Sequence, residues 1–262
     1  MSLLNVSEQD HDYNSLLEVT NLQETSELHV SNNRIESLQI LLLPKLAYID
    51  LSYNCLTSCT FVVPDLRFFT SPLAHVNLSH NELTDIEFLQ VFPYLQSVNL
   101  SHNCINVLDC GIFANHFYLN SLNLAENQIS SIITSDTFIE ENALETSLRI
   151  LNLSRNQISD ISQLPFTSIT NLNISENKLE TITGFKFFPH LTELNLESNP
   201  FTSDELTSLE VFHGCKFLTN INLNSTKFKF NLPKVLEACP FLKIFNNRTL
   251  SLEEKAQILY RQ

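Results

Sequence analysis

The sequence predicts an α/β solenoid in which short parallel strands stack into one curved sheet. The first indication is a pair of nearly identical segments, VNLSHNEL at residues 76–83 and VNLSHNCI at residues 98–105. Their common pattern, L-x-x-L-x-L-x-x-N-x-L, recurs along most of the 262-residue chain. Successive pattern asparagines from Asn33 to Asn199 are 21, 27, 22, 24, 29, 21 and 22 residues apart. Tandem units of this length are typical of a solenoid, in which each unit packs only against its neighbours.

Nine units carry the pattern, and the first and the last of them are degenerate. Thr25 occupies the opening position of the first unit, and Thr226 replaces the asparagine of the last. The complete units between them contain Asn54, Asn81, Asn103, Asn127, Asn156, Asn177 and Asn199. The sequence therefore predicts an N-terminal cap at residues 1–24, a nine-unit array at residues 25–235 and a C-terminal cap at residues 236–262.

Each position of the pattern has a structural reason. The central L-x-L is a short strand, so the residues before its second and third leucines point to solvent while the leucines point inward. We expect the two residues before the asparagine to continue this exposed face. The asparagine carries donor and acceptor atoms on a short side chain and can satisfy backbone groups inside the bend after the strand. Because the return segments are bulkier than strands, the sheet forms the concave face, and short helices, 3₁₀ turns and loops form the convex face.

Helical signals mark some return segments and the end of the array. Leu206, Leu209 and Phe212 are three residues apart in the segment 204–212, which predicts a short helix. Near the C-terminus, Ser251 and Glu254 form the sequence pattern of a capping box, which opens a final helix. An N-terminal cap element is expected around residues 13–19.

These units resemble the leucine-rich repeat. The phrases NQISDI and NQISSI, together with the terminal run CPFLKIFNNRTLSLEEKAQILYRQ, resemble intracellular short-repeat proteins such as the regulatory subunit of type-1 protein phosphatase. NQISDIS-like units are also similar to those of bacterial internalins. The resemblance implies a horseshoe that holds a protein partner on its concave face, and the phosphatase subunit implies a regulatory role beside a catalytic partner.

The charge distribution limits the classes of partner. The formal net charge is −14, and residues 68–148 contain no Lys or Arg. Because an acidic body repels phosphate backbones, we expect no nucleic acid and favour a basic protein partner. No apolar run approaches the ~20 residues of a membrane span, and the first residues lack the features of a signal peptide. We therefore expect no membrane association.

Cysteines and glycosylation sequons favour an intracellular protein. The six cysteines are scattered and form no CxxC motif, which is typical of reduced thiols. Seven N-x-S/T sequons occur, and four of them belong to the repeat phrase itself. Glycans on Asn77 and Asn99, in adjacent units, would collide, so we interpret the sequons as unused and expect a cytoplasmic or nuclear location.

The sequence contains no motif for catalysis or for binding a cofactor. With only three glycines, it has no phosphate-binding loop, dinucleotide fingerprint or nucleophile elbow. His80 and His102 occupy equivalent positions in adjacent units, about 5 Å apart by strand spacing. A metal site that includes them and His75 is conceivable but lacks a convincing carboxylate or thiol, so we predict none. Glu126 and Glu176 lie in the same column, where we expect them to be solvated.

The predicted partner-binding residues lie on the concave face of units two to four and unit six. Aromatic and arginine side chains are the usual anchors of interfaces. The residues are Tyr48, Tyr53, His75, His80, His102, Ile150 and Arg155. The column directly before the third leucine is asparagine in seven units and gives little information about a partner.

The preferred interpretation is a non-catalytic interaction scaffold that acts as a regulatory or adaptor subunit and is a monomer when unbound. The alternative is a pathogen effector or adhesin-type protein that binds a host protein on the same face.

Overall fold

A computed structural model describes residues 3–9, 24–41, 44–62, 72–134, 147–181, 188–201, 214–226 and 232–260, together with Phe185 and Phe212. Within these ranges the backbone is dominated by short strands that recur once or twice per repeat unit. The strands are β1 (Leu3–Asn5), β2 (Glu27–His29), β3 (Ser37–Leu41), β4 (Tyr48–Asp50), β5 (Ser58–Val62), β6 (His75–Asn77), β7 (Ser97–Asn99), β8 (Val107–Asp109), β9 (Ser121–Asn123), β10 (Ser131–Ile133), β11 (Ile150–Asn152), β12 (Asn171–Asn173), β13 (Glu193–Asn195), β14 (Asn220–Asn222), β15 (Ile244–Phe245) and β16 (Arg248–Thr249).

Twelve of the described strands form one sheet in the order β1-β2-β4-β6-β7-β9-β11-β12-β13-β14-β15-β16. Neighbouring strands are parallel except for the terminal β15–β16 pair. The register is the same at each step, so that the second leucine position of one unit pairs with that of the next, as Val98 does with Leu122. Each of the nine predicted units contributes one strand, from β2 to β14. The predicted leucine-rich-repeat solenoid is confirmed.

The pattern leucines and a set of phenylalanines form one continuous core. Leu51, Leu78, Leu100, Leu124 and Leu153, at the third leucine position, are each 0–1% exposed. Behind them, the largest fully buried side chains are mainly phenylalanines of the return segments. The volume of these buried rings keeps the convex sides of neighbouring units apart.

The column of pattern asparagines binds the backbone of two units at once. Asn103 donates from Nδ2 to the carbonyl of Leu100 in its own unit and to that of Leu78 in the preceding unit, both at 3.0 Å. Its Oδ1 accepts from the backbone N–H of Leu83 at 3.0 Å. Equivalent bonds are made by Asn54, Asn81, Asn127, Asn156, Asn177 and Asn199. The structural role predicted for this column is confirmed.

The convex side contains two short parallel sheets that the sequence analysis did not predict. One pairs β3 with β5 and the other pairs β8 with β10. All four strands begin four residues after a pattern asparagine. Adjacent return segments therefore pair in the register that the main sheet sets. The remaining described return segments include two 3₁₀ helices, η1 (Glu87–Val91) and η2 (Cys110–Asn115), as predicted for this face.

The N-terminal end of the sheet extends beyond the predicted array. Strand β1 pairs in parallel with β2, Val6 is buried, and Asn33 donates from Nδ2 to the carbonyl of Val6 at 3.0 Å. Residues 3–9 therefore continue the solenoid by one rung, with Gln9 in the asparagine position. The cap boundary at residue 24 stays a prediction, and the expected element around residues 13–19 lies outside the described residues.

The C-terminal end contains helices α1 (Leu232–Ala238) and α2 (Leu252–Tyr260). The predicted capping box is confirmed, because Glu254 donates from its backbone N–H to Ser251 Oγ at 3.1 Å and Glu254 Oε2 accepts from the backbone N–H of Ser251 at 3.0 Å. In the part of the chain that is described, helices are too short and too polar to cross a membrane. The helix predicted at 204–212 lies outside the described residues except for Phe212.

Candidate functional site

The open face of the main sheet follows the predicted alternation with one exception. Tyr48 and Asp50 are partly exposed on either side of the buried Ile49, and Ile150 is 44% exposed. The residue two before the pattern asparagine was expected to be exposed, but in six of the nine units it is buried, as Ser52 and Ser79 are. The hydroxyls of the buried serines turn back and donate to the side chain two residues earlier, as Ser52 Oγ does to Asp50 Oδ1 at 2.7 Å. The expectation was wrong for these six units.

The residue directly before each pattern asparagine has a left-handed backbone. From Asn32 to Ser225 this position has φ of 54–56° in all nine units, and no glycine among the described residues has positive φ. The conformation lets the backbone N–H of Tyr53 donate to the carbonyl of Ser79 in the next unit at 3.0 Å. The side chains at this position therefore project in a row along one edge of the sheet. We call six of them the rim column: Tyr53, His80, His102, Glu126, Arg155 and Glu176.

The first half of the rim column is a stack of three rings. The ring centroids of Tyr53 and His80 are 4.0 Å apart with planes 10° from parallel, and those of His80 and His102 are 3.9 Å apart at 16°. Partial burial and the neighbouring His102 lower the pKa of His80, while Glu126 opposes this shift. The stack therefore favours a neutral His80 near pH 7.

The second half of the rim column is a chain of ion pairs. Glu126 Oε2 lies 3.1 Å from His102 Nδ1, and Glu126 Oε1 accepts from Arg155 Nη1 at 2.9 Å. Arg155 Nε donates to Glu176 Oε1 at 2.9 Å. Hydrogen bonds from Arg155 to Glu176 and Glu126 raise the pKa of its guanidinium. Glu126 and Glu176, which we expected to be solvated, are thus paired with the cation between them, and contacts join all six members of the column.

Tyr48 and His75 form a second group beside the rim column. The ring of Tyr48 lies 5.0 Å from that of His29 and 6.5 Å from that of His75. Burial raises the pKa of Tyr48, and the nearby carboxylates of Asp50 and Glu27 add to the shift. The structure therefore brings together six of the seven predicted binding residues in two adjacent groups, and only Ile150 lies apart from them. Their binding role stays a prediction.

Ile150 faces a groove of about 400 Å³ on the concave face between β11 and β15. Half of the residues that line it are asparagines, most of the others are apolar, and Glu193 is its only charged residue. Sequence reasoning missed this groove because the repeat phrase itself supplies most of its residues. The doubled phrases NLN at 171–173 and NIN at 220–222 were the signal that could have identified it.

The described residues offer no built metal site, and four of the six thiols are buried. No group of three or more His, Cys, Asp or Glu side chains in that part of the chain is placed to hold a metal ion. The nitrogen lone pairs of His80 and His102 lie in nearly parallel ring planes, so they do not converge on one point. All six cysteines are free, and burial raises the pKa of Cys59, Cys110 and Cys239 to about 12 and that of Cys215 to about 11. Thiols with such pKa values stay protonated and are poor nucleophiles.

Two family models described as leucine rich repeat match the chain, one over residues 146–201 and the other over residues 93–107. Among curated proteins, Tsukushi of Xenopus tropicalis is 30% identical over 201 residues, which cover 74% of this chain and 53% of that protein. The chain thus spans about half the length of this relative.

Solved structures show the same architecture. A leucine-rich-repeat protein of Leptospira interrogans superposes with a TM-score of 0.73 at 22% identity, covering 98% of this chain and 63% of that one. An internalin of Listeria monocytogenes gives a TM-score of 0.58 at 21% identity, covering 91% and 72%. At such identities these structures show the fold alone, and the internalin-like resemblance holds at that level. The resemblance to the phosphatase regulatory subunit stays a prediction. The repeat found in the sequence, in the stacked strands and in the family models is one and the same, and the chain is therefore a leucine-rich-repeat protein.

Proposed function

We propose that this protein is a non-catalytic scaffold that binds a partner protein on its concave face, with the rim column at the centre of the contact. The observation that carries the proposal is the continuous contact between six large side chains along one edge of the sheet. Side chains that are already held by their neighbours lose little conformational entropy when a partner binds. Tyrosine and arginine are also enriched among the residues that dominate binding energy.

The two halves of the rim column contribute differently to this function. Arg155 is compensated by a carboxylate on each side, so an acidic group of a partner gains little from it. Tyr53 is 52% exposed and carries no charge that a neighbour already compensates, and Tyr48 and His75 lie on β4 and β6, the strands of the units that contain Tyr53 and His80. We therefore place the main contact over β4 and β6, and we assign Arg155 the role of holding Glu126 against His102.

The partner is expected to be basic, and the complex to be intracellular. Carboxylates of Asp50, Glu126 and Glu176 lie on or beside the proposed contact, and residues 68–148 carry no Lys or Arg. Complementary charge mainly accelerates association and selects among partners. Six free cysteines support a cytoplasmic or nuclear location. A regulatory or adaptor role beside that partner is the biological function we propose.

The test is to identify a partner by affinity purification with cross-linking mass spectrometry and then to measure its binding to rim variants. Tyr53→Ala and His80→Ala should each weaken binding by about 1 kcal/mol or more, while the free energy of unfolding stays at its wild-type value. Ser198→Ala is the matched control, because Ser198 has the same left-handed backbone position with a small side chain. Wild-type affinity in both rim variants would remove the rim column from the contact.

A further inference from the structure

A second column on the concave face has its acceptor atoms occupied, while its donor atoms have no partner among the described residues. It consists of the asparagines directly before the third leucine on five consecutive strands of the main sheet. We call them the donor row: Asn99, Asn123, Asn152, Asn173 and Asn195. The Oδ1 atom of each accepts from the backbone N–H two residues later at 3.1–3.2 Å. This local turn fixes the carboxamide, so that its Nδ2 group points away from the turn.

The ends of the row show what these Nδ2 groups bind when an acceptor is available. At one end, Asn77 donates to Asp50 Oδ1 at 3.0 Å, and at the other Asn222 donates to Glu197 Oε2 at 2.8 Å. Between these ends, the Nδ2 atoms of the donor row have no hydrogen-bond partner among the residues that the structure describes. Five strands thus present oriented, uncharged N–H donors to the concave side without supplying acceptors for them.

Three members of the row, Asn152, Asn173 and Asn195, lie in the groove of about 400 Å³ between β11 and β15. This volume falls within the ~300–1,000 Å³ range of ligand sites. Ile150 and Ile244 provide apolar surface at its two ends, and Glu193 is its single charge. A ligand that fits must offer uncharged acceptors in a row and must not be an anion, because it would meet Glu193 in a strongly acidic protein.

The spacing of the donors suits an extended polypeptide that crosses the strands. Parallel strands are ~4.8 Å apart, so Asn152 and Asn195, two strands apart, are separated by roughly 9.6 Å. A polyproline II segment repeats its orientation every three residues, which corresponds to about 9.3 Å. Backbone carbonyls three residues apart therefore reach alternate members of the row. A glycan is less well matched, because its hydroxyls need acceptors as well as donors and the Oδ1 atoms of the row are already used.

We infer that the groove between β11 and β15 binds an extended, non-acidic polypeptide segment, whose backbone carbonyls accept from Asn152 and Asn195 and whose basic side chain pairs with Glu193. The inference rests on the proposed protein-binding function and assigns it a second contact, separate from the rim column. It also names the form of the partner, a segment without secondary structure of its own rather than a folded surface.

The test uses an isosteric change that removes the donor and adds one negative charge. Asn152→Asp keeps the acceptor of the turn and replaces the Nδ2 group by oxygen. The fold accepts Asp at this position, since Asp50 Oδ1 on β4 accepts from the backbone N–H of Ser52 at 3.0 Å. Asn5→Asp is the matched control. Asn5 lies on β1, outside the groove, and its Oδ1 accepts from the backbone N–H of Ser7 in the same kind of turn.

The probes are synthetic peptides selected on the full-length wild-type protein from a random twelve-residue display library. Affinity is measured by fluorescence anisotropy in 0.5 M NaCl, where a Debye length of about 4 Å screens the added charge. We expect Asn152→Asp to weaken binding at least tenfold and Asn5→Asp to leave it unchanged. Glu193→Gln should weaken binding at low salt for peptides that contain Lys or Arg.

Equal binding of the selected peptides to wild type and to Asn152→Asp overturns the inference, as does failure of the wild type to enrich any peptide. An oligosaccharide bound in the groove, with loss on Asn152→Asp, assigns the groove to a glycan and also overturns it. Failure of the groove can be told apart from failure of the rim column. A partner that depends on Tyr53 and His80 but not on Asn152 leaves the rim column standing and removes the groove.

Discussion

Replacing Asn127 by alanine tests the internal asparagine column at the middle of the array. Its Nδ2 donates to the carbonyls of Leu100 at 2.9 Å and Leu124 at 3.1 Å, and its Oδ1 accepts from the backbone N–H of Ile105 at 3.1 Å. The two carbonyls are protected, because each also accepts from another asparagine of the column at 2.9–3.0 Å. Only the N–H of Ile105 loses its described acceptor.

The expected cost follows from this distribution of bonds. An orphaned buried N–H costs about 1–3 kcal/mol, and each of the two shared bonds contributes roughly 0.5 kcal/mol. Asn127→Ala should therefore lower the free energy of unfolding by about 2–4 kcal/mol. Asn127→Asp keeps the acceptor for Ile105 but directs a buried carboxylate at two carbonyl oxygens. An uncompensated buried charge costs about 3–5 kcal/mol, so Asp should be worse than Ala.

The assay is urea unfolding followed by far-UV circular dichroism, with the denaturant slope checked for each variant because repeat proteins can lose cooperativity. Asn123→Ala is the matched control. It lies in the same unit, is partly exposed, and its side chain has one described hydrogen bond, which it accepts from the backbone N–H of Ala125 at 3.1 Å. Its cost should stay below about 1 kcal/mol.

Two results would refute this reasoning. If Asn127→Ala unfolds at the wild-type urea midpoint, the column is not a source of stability. If Asn127→Asp is more stable than Asn127→Ala at pH 7, the carbonyls of Leu100 and Leu124 do not face the side chain as described.

Three further outcomes are expected. Leu124→Ala, at a fully buried position, should cost about 2–5 kcal/mol in the same urea assay, and wild-type stability would contradict the core assignment. A colorimetric thiol titration without reductant should count six thiols after unfolding. In the native protein it should detect mainly the exposed Cys55 and the half-buried Cys104. A count of four after unfolding would reveal a disulfide. Burial lowers the pKa of His116 in the folded protein. The contribution of the neutral imidazole to stability is therefore fully present above the pKa of the unfolded state and is lost as pH falls toward the folded pKa. The urea midpoint of the wild type should therefore fall more between pH 7 and pH 5 than that of His116→Phe, and equal shifts would contradict this.

The solenoid could be predicted because each rule that defines it is local. The positions of Leu122, Leu124 and Asn127 within one unit are enough to assign a strand, its buried side and the bend that follows. Repetition then gives the stacking, because identical units can bury their apolar faces only against one another. The capping box at Ser251 and Glu254 is equally local.

The rim contacts and the convex sheets could not be predicted in this way. Whether Arg155 meets Glu126 depends on a left-handed backbone that turns both side chains along the same edge, across 29 residues of sequence. Pairing of β3 with β5 depends on two return segments that begin at equal distances from their asparagines. The groove was missed for the opposite reason, since Asn152, Asn173 and Asn195 follow the repeat phrase and looked uninformative.

The left-handed rim has a consequence for how this protein can change. A left-handed conformation costs a non-glycine residue about 1 kcal/mol, and the chain accepts it at Tyr53, His80, His102 and Arg155 without using glycine there. Exchange of these side chains alters the surface that is displayed while the strands, the core and the asparagine column stay as they are. Substitution by glycine or asparagine even lowers the free-energy cost of the left-handed conformation. The edge is thus a row of interchangeable display positions, along which new specificities can be grafted or evolved without redesign of the scaffold.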